Sequence, residues 1–262
     1  MTGCLRAVGR LLRILLHMLA GVRITWRLAR SGADEAARCE ARRDWYARAL
    51  EIAGVRFRIT GALPQRPSLV VANHISWLDI PLLGAAVDPC FLAKAEIARW
   101  PLIGWLARAH GTRFIRRGAH EASEHILAMQ AGLAEGRHFV VFPEGTTSRG
   151  EGVRRFHPRL FAAVAGTEYP VQPVALDYEQ TRDRTVPVAY ADGDRLVPNV
   201  WRLLCRPETR VDLHFLPSLD AAASDRRALA DASRDAIVEV LDLPAEPLEP
   251  RSFPGRRRRP GS

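Results

Sequence analysis

Short apolar runs rich in β-branched residues recur along this chain, separated by longer stretches of helical periodicity. Leu69-Val70-Val71-Ala72 ends in the polar string Asn73-His74-Ile75-Ser76-Trp77-Leu78-Asp79, and Phe139-Val140-Val141 ends in Phe142-Pro143-Glu144-Gly145-Thr146-Thr147-Ser148. Runs of this length and composition read as buried strands. The pattern predicts strands at 57–60, 69–73, 138–142, 171–176 and 211–215, and helices at 33–51, 121–135 and 226–241. Gly136 stops the second of those helices. No internal repeat is visible. The expected fold class is α/β: a mostly parallel central sheet covered by helices, with an N-terminal helical membrane-attachment segment. In open sheets of that kind ligands bind in the crevice beyond the carboxyl ends of the strands, and both polar strings are delivered there.

The first thirty residues carry no acid. Arg6, Arg10 and Arg13 recur at helical spacing, Arg23, Arg27 and Arg30 repeat it, and Val8, Leu12, Leu15, Leu16 and Leu19 fall opposite the first triplet. A basic amphipathic helix of this kind lies in the headgroup plane of an anionic membrane. The competing reading is a core-packing helix with a solvated arginine face. The longest uncharged stretch, 14–22, is far short of the ~20 residues a span needs, and Arg13 and His17 interrupt any signal-peptide core. At the other end, five prolines and the run Arg256 to Arg259 follow residue 243 and read as a disordered tail. The chain therefore divides into a basic amphipathic helical segment at 1–52, an α/β domain at 53–242 and a Pro/Arg-rich tail at 243–262.

A length of 262 residues with 47% hydrophobic content suits one α/β domain with an appendage. The net charge of +9 favours anionic partners, whether membrane headgroups, nucleic acid or phosphorylated substrates. Cys4, Cys39, Cys90 and Cys205 are widely separated, so neither a disulfide framework nor a zinc site is expected. Walker, dinucleotide-binding, zinc-protease and nucleophile-elbow motifs are absent from the sequence. A nucleic-acid-binding protein is the alternative from another class. It would interleave basic and aromatic residues on one surface, whereas here the basic residues gather at an amphipathic terminus and a tail.

The chemistry turns on His74 and Asp79. On one continuous helix, residues five apart diverge by about 140° and stand roughly 7.5 Å apart along the axis, so their side chains would not meet. The pair works only if the chain turns between them. Pro81, tolerated in a first helical turn, implies a helix beginning near Asp79 with 74–78 as the strand-to-helix turn. Asp79 then reaches back to the imidazole, fixing its tautomer and raising the basicity of the other nitrogen, as a general base for an alcohol requires. The plainer alternative makes Asp79 an N-cap and Asn73-His74 turn residues.

With these strings goes Gly111-Thr112-Arg113-Phe114-Ile115-Arg116-Arg117 and the proline-centred apolar strand Val171-Gln172-Pro173-Val174-Ala175-Leu176. The four blocks in this order, over roughly 68–178, resemble the 1-acylglycerol-3-phosphate acyltransferases and their relatives in glycerolipid synthesis. The resemblance implies acyl transfer from a thioester donor, acyl-CoA or acyl carrier protein, to a lysolipid hydroxyl, giving phosphatidic acid when the acceptor is 1-acylglycerol-3-phosphate. His74 takes the hydroxyl proton and Asp79 orients it. Arg117, Glu144, Gly145 and Thr146 hold the acceptor, with the Arg117 fork on its phosphate. Glu144 would repel a phosphate and is expected to position Arg117 or bind a glycerol hydroxyl. Lys94, the single lysine of the chain, lies in a segment similar to one in that family. It is read either as help for the thioester oxyanion or donor phosphates, or as a solvated surface lysine.

Three positions depart from the phospholipid pattern. Arg116 stands where an acid is common, Thr147 where an arginine is, and His157 near a frequent lysine. Relatives with Thr-Thr-Ser in the third block include acyltransferases for other lysolipids such as amino-acid-linked (ornithine-type) lipids, so the expected acceptor is 1-acylglycerol-3-phosphate and a lysolipid of that second kind is the alternative. No cofactor or metal is expected, and the expected partners are lysolipid, acyl thioester and an anionic membrane surface rather than nucleic acid. The expected location is the cytoplasmic face of the inner membrane.

Overall fold

Two helices lead the chain before any strand forms. The computed structural model describes residues 2–100, 103–109, 112–115, 121–179, 186–191 and 193–243. Arg116, Arg117 and the tail from 244 onward lie outside the described residues. Helix α1 (Thr2–Arg30) and helix α2 (Glu35–Ala53) are followed by strand β1 (Val55–Gly61), strand β2 (Leu69–Ala72), helix α3 (Asp79–Val87) and strand β3 (Cys90–Lys94). Helix α4 (Ile103–Ala109), strand β4 (Arg113–Ile115), helix α5 (Glu121–Ala134), strand β5 (Phe139–Val141) and strand β6 (Val171–Tyr178) come next. Helix α6 (Leu196–Cys205), strand β7 (Thr209–Phe215) and helix α7 (Arg226–Val240) complete it.

The seven strands form one sheet in the order β1-β7-β6-β2-β5-β3-β4. All neighbouring pairs are parallel except β6 with β7. The mostly parallel sheet read from the sequence is therefore present, and every strand the pattern predicted is in it. Strands β3 and β4 and helices α4 and α6 were not anticipated. β2 is buried at all four positions and β5 at all three, which is why both read as continuous apolar runs rather than alternating ones. Pro173 sits one residue before the β6–β7 ladder begins at Val174↔Phe215. Its missing N–H is thereby tolerated in an interior strand, and its carbonyl still accepts from Leu216 N at 3.0 Å.

Helix capping follows the local sequence. Asp34 and Asp225 accept backbone N–H bonds at the starts of α2 and α7, as short acidic side chains do. The N-terminal helices are packed into the same body: Ala7, Leu50 and Ala53 belong to one buried cluster with Val70, Leu82, Val174 and Leu213. Arg42 on α2 grips the buried Asp88 carboxylate with Nε at 2.8 Å and Nη2 at 2.6 Å, tying α2 to the end of α3.

The orientation of α1 overturns one sequence expectation. A solvated arginine face was the competing reading, but Arg6 Nη1 donates to Cys205 O at 2.8 Å, and Arg10 donates to Leu204 O, Arg206 O and Pro207 O. These carbonyls end α6, where a helix leaves acceptors without intrahelical donors and carries its negative pole. With Arg6 and Arg10 turned inward and Arg13 left exposed, the leucine face looks out: Leu5, Val8, Leu12, Leu15, Leu16 and Leu19 are all at least half exposed. None of the described helices is long and apolar enough to cross a membrane.

Candidate active site

Both polar strings meet at the carboxyl ends of adjacent parallel strands, since β2 and β5 pair in register from Leu69↔Phe139 to Val71↔Val141. At the end of β2 the main chain leaves the sheet, and Asn73 continues the ladder with its side chain. Its Nδ2 donates to Leu176 O at 3.0 Å, and its Oδ1 accepts from Leu176 N at 2.8 Å. One carboxamide thus replaces one peptide unit, which fixes where His74 emerges.

The turn predicted between His74 and Asp79 is present, and α3 starts at Asp79. His74 Nδ1 lies 2.7 Å from Asp79 Oδ2. The same oxygen accepts from Ile75 N at 2.8 Å and Ser76 N at 3.0 Å, and Oδ1 accepts from the Tyr178 hydroxyl at 2.5 Å. The pairing of Asp79 with His74 is therefore present, whereas the N-cap reading is not: the N-cap position of α3 is Leu78, and the amides Asp79 satisfies are those of the preceding turn. Asp79 has no exposed surface. With backbone amides already donating to Oδ2, the imidazole must present Nδ1–H to it, leaving Nε2 as the basic nitrogen. The His74 side chain remains 18% exposed, which keeps that nitrogen within reach of a substrate. Its ring is stacked on Phe142, with centroids 4.0 Å apart and planes 12° from parallel.

Glu144 is occupied differently from the sequence expectation. Its Oε1 accepts from His74 N at 2.7 Å and its Oε2 from Arg154 N at 3.0 Å. The carboxylate is almost wholly buried and locks the 142–148 loop to the 74–78 turn. Burial pushes it up to about 7, against the pull of the two amides and of the nearby His74 and Arg154 charges. Ser148 N adds a bond to His74 O at 2.8 Å. Gly145 has φ 73°, and a Cβ there would stand 3.3 Å from the His157 ring. The positive φ favours glycine at that position, and the close approach places the imidazole of His157 directly against the loop. Thr146 is half-buried beside it.

Lys94 is the last residue of β3, which runs parallel to β5. Its backbone therefore stands at the same carboxyl edge as His74, two strands across. Arg117 lies outside the described residues, while Arg113 of the same block pairs with Glu135. The structure also supplies groups that sequence spacing did not reveal. Tyr178 comes from the end of β6, and a clamp comes from the segment before α6 and from α6 itself. Ser76 Oγ donates to Val188 O, Tyr190 N to Ile75 O and Trp77 Nε1 to Asn199 Oδ1. Nothing in the sequence signals these long-range pairings, because each joins residues 99 or more apart. Among the described residues, no group of His, Cys, Asp and Glu side chains is arranged to hold a metal ion.

The family model described as Acyltransferase matches residues 54–177. A lyso-ornithine lipid O-acyltransferase of Pseudomonas aeruginosa is 38% identical over 207 residues, covering 79% of this chain and 80% of that protein. A 1-acyl-sn-glycerol-3-phosphate acyltransferase of Neisseria gonorrhoeae is 37% identical over 183 residues, covering 68% of this chain and 71% of that one. Among solved structures, the 1-acyl-sn-glycerophosphate acyltransferase PlsC of Thermotoga maritima shares the fold, with a TM-score of 0.62, 23% identity, and coverage of 89% of this chain and 96% of that one. With two polar strings meeting at one His–Asp pair and relatives of this coverage, the chain belongs to the acyltransferase family that acts on lysolipids.

Proposed function

We propose that this enzyme moves a fatty acyl group from a thioester donor to the free hydroxyl of an amino-acid-linked lysolipid of the ornithine type, with His74 as general base. The observation that carries the base assignment is the 2.7 Å contact between His74 Nδ1 and a fully buried Asp79. In the proposed reaction the acceptor hydroxyl gives its proton to Nε2 as its oxygen attacks the thioester carbonyl. The tetrahedral intermediate then collapses, the carbon–sulfur bond breaks, and the imidazolium returns its proton to the leaving thiolate. Asp79 stabilises the transient imidazolium.

The headgroup assignment rests on likeness. Relatives named lyso-ornithine lipid O-acyltransferase come from Pseudomonas aeruginosa, Rhizobium meliloti and Brucella abortus, at 34–38% identity over 68–79% of the chain. Arg116, Thr147 and His157 depart from the phospholipid pattern. A second reading, 1-acylglycerol-3-phosphate as acceptor, is supported by the Neisseria relative and by Arg117, whose planar fork suits a phosphate monoester. Acyl-CoA or acyl carrier protein serves as donor in either case.

The outward leucine face of α1 supports attachment to an anionic lipid surface, proposed here to be the cytoplasmic leaflet of the inner membrane. Exposed Arg23, Arg27 and Arg30 lie beyond the leucines, and Arg30 stacks on Trp26 at 4.7 Å. Trp100 and Trp105 are also exposed. The deciding assay offers both lysolipids to the purified protein and follows thiol release and product lipid for wild type, His74→Ala and Arg117→Lys. Turnover of the ornithine-type acceptor, abolished by His74→Ala and indifferent to Arg117→Lys, is expected. Preference for the phosphate acceptor, with a Michaelis constant raised several-fold by Arg117→Lys, establishes the second reading. Near-normal turnover by His74→Ala refutes the base assignment.

A further inference from the structure

We infer that Tyr178, at the end of β6, is a positioning residue of the catalytic pair: its hydroxyl holds the Asp79 oxygen turned away from the imidazole and so sets the pH range in which His74 works as a base. This rests on the base role proposed for His74.

The geometry separates the two oxygens of Asp79. Oδ2 carries the imidazole and the amides of Ile75 and Ser76, while Oδ1 takes the Tyr178 hydroxyl at 2.5 Å. Tyr178 is 2% exposed and Asp79 is fully buried, so water does not substitute readily for a donor lost there. Burial and the adjacent carboxylate keep the phenol proton in place well above its ordinary range. Tyr178 is accordingly a constant donor over any pH at which the enzyme is assayed. Its backbone is fixed independently by the β6–β7 ladder, where it pairs with Val211.

An O–H dipole pointing its positive end at a carboxylate lowers the proton affinity of the carboxylate and of any group coupled to it. Removing the donor makes the His74–Asp79 pair hold a proton more tightly, so the imidazole stays charged, and useless as a base, to higher pH. Among the described residues, the other charged and titratable groups around the pair are Glu144 on the His74 amide, Arg154 on the far side of Glu144, and His157 against Gly145. None of these bonds the Asp79 side chain, and all are unchanged by a substitution at 178.

The test is Tyr178→Phe, which deletes the hydroxyl and keeps the ring. The acid limb of kcat/KM against pH should move up by about one unit, the scale expected for one lost hydrogen bond to a charged group. The plateau rate should fall no more than about tenfold, with KM for the lysolipid unchanged. A residue that merely fills the core would lower the rate at every pH and leave the limb in place, and that result overturns the proposal. If Tyr178→Phe does not fold, 3-fluorotyrosine introduced at 178 keeps the shape and donates more strongly, so the limb should move down; a limb that stays put again overturns it. His74→Ala is run alongside. Full activity in His74→Ala removes the base reading and this proposal with it, whereas an inactive His74→Ala with an unmoved limb in Tyr178→Phe removes this proposal alone.

Discussion

Replacing Asp79 by alanine should cost this protein much of its stability, while replacing it by asparagine should cost chiefly its chemistry. Four donors converge on the Asp79 carboxylate: His74 Nδ1, Ile75 N, Ser76 N and Tyr178 Oη. Alanine orphans all of them in a site with no solvent exposure. Even at the low end of about 1 kcal/mol per orphaned buried donor, the loss is about 4 kcal/mol, before the cavity is added. That is most of the stability of a marginal domain, whose total is about 5–15 kcal/mol. Asparagine behaves differently. Its carbonyl oxygen takes the Oδ2 place and keeps three donors, and the Tyr178 hydroxyl turns to accept from the amide group. What is lost is the charge assistance, which roughly halves each bond, so the expected cost is about 1–2 kcal/mol. Urea unfolding followed by circular dichroism measures both. Thiol-release rates should show Asp79→Asn impaired, yet less than His74→Ala, for which removal of a base predicts a loss of about 10²–10⁴-fold. If Asp79→Ala is as stable as Asp79→Asn to within about 1 kcal/mol, the convergence of donors is not what holds the turn.

Burial raises the Glu144 carboxyl from 4.5 to about 7. Its contribution to stability is therefore complete below 4.5 and is lost as pH climbs through 7, so the advantage of wild type over Glu144→Gln should shrink by about 3 kcal/mol between pH 4.5 and 8 in chemical denaturation. Arg10→Ala should free the end of α6 from α1 and make the N-terminal helix sensitive to limited proteolysis; Arg10→Lys should not restore protection, because one ammonium does not span three carbonyls in fixed geometry. Leu12→Asp with Leu16→Asp should reduce co-sedimentation with anionic vesicles while leaving the unfolding midpoint in place, since both side chains are already more than half exposed. Retained vesicle binding by that variant would move the membrane contact to another surface, such as that around Trp100 and Trp105.

What the sequence determined by itself is local. A run such as Leu69–Ala72 is apolar on both faces because it is buried on both faces, so its place inside a covered parallel sheet is written into its residues. Likewise, five-residue spacing and Pro81 require a turn between His74 and Asp79, and the turn is there. Tertiary structure decided whatever depends on which surfaces meet. Periodicity located the arginine and leucine faces of α1 but held no information about which would find the α6 carbonyls, and the answer put the leucines outside. Glu144 reads the same in sequence whether it faces a ligand or two backbone amides. Only the closing of the 142–148 loop over the end of β2 selects the amides. Tyr178 closes an ordinary apolar strand, and β6 lying beside β2 brings its hydroxyl to Asp79 across 99 residues of chain. Periodicity specifies the face a side chain occupies, because backbone geometry repeats locally; the partner it meets is set by strand order, which is a property of the whole chain.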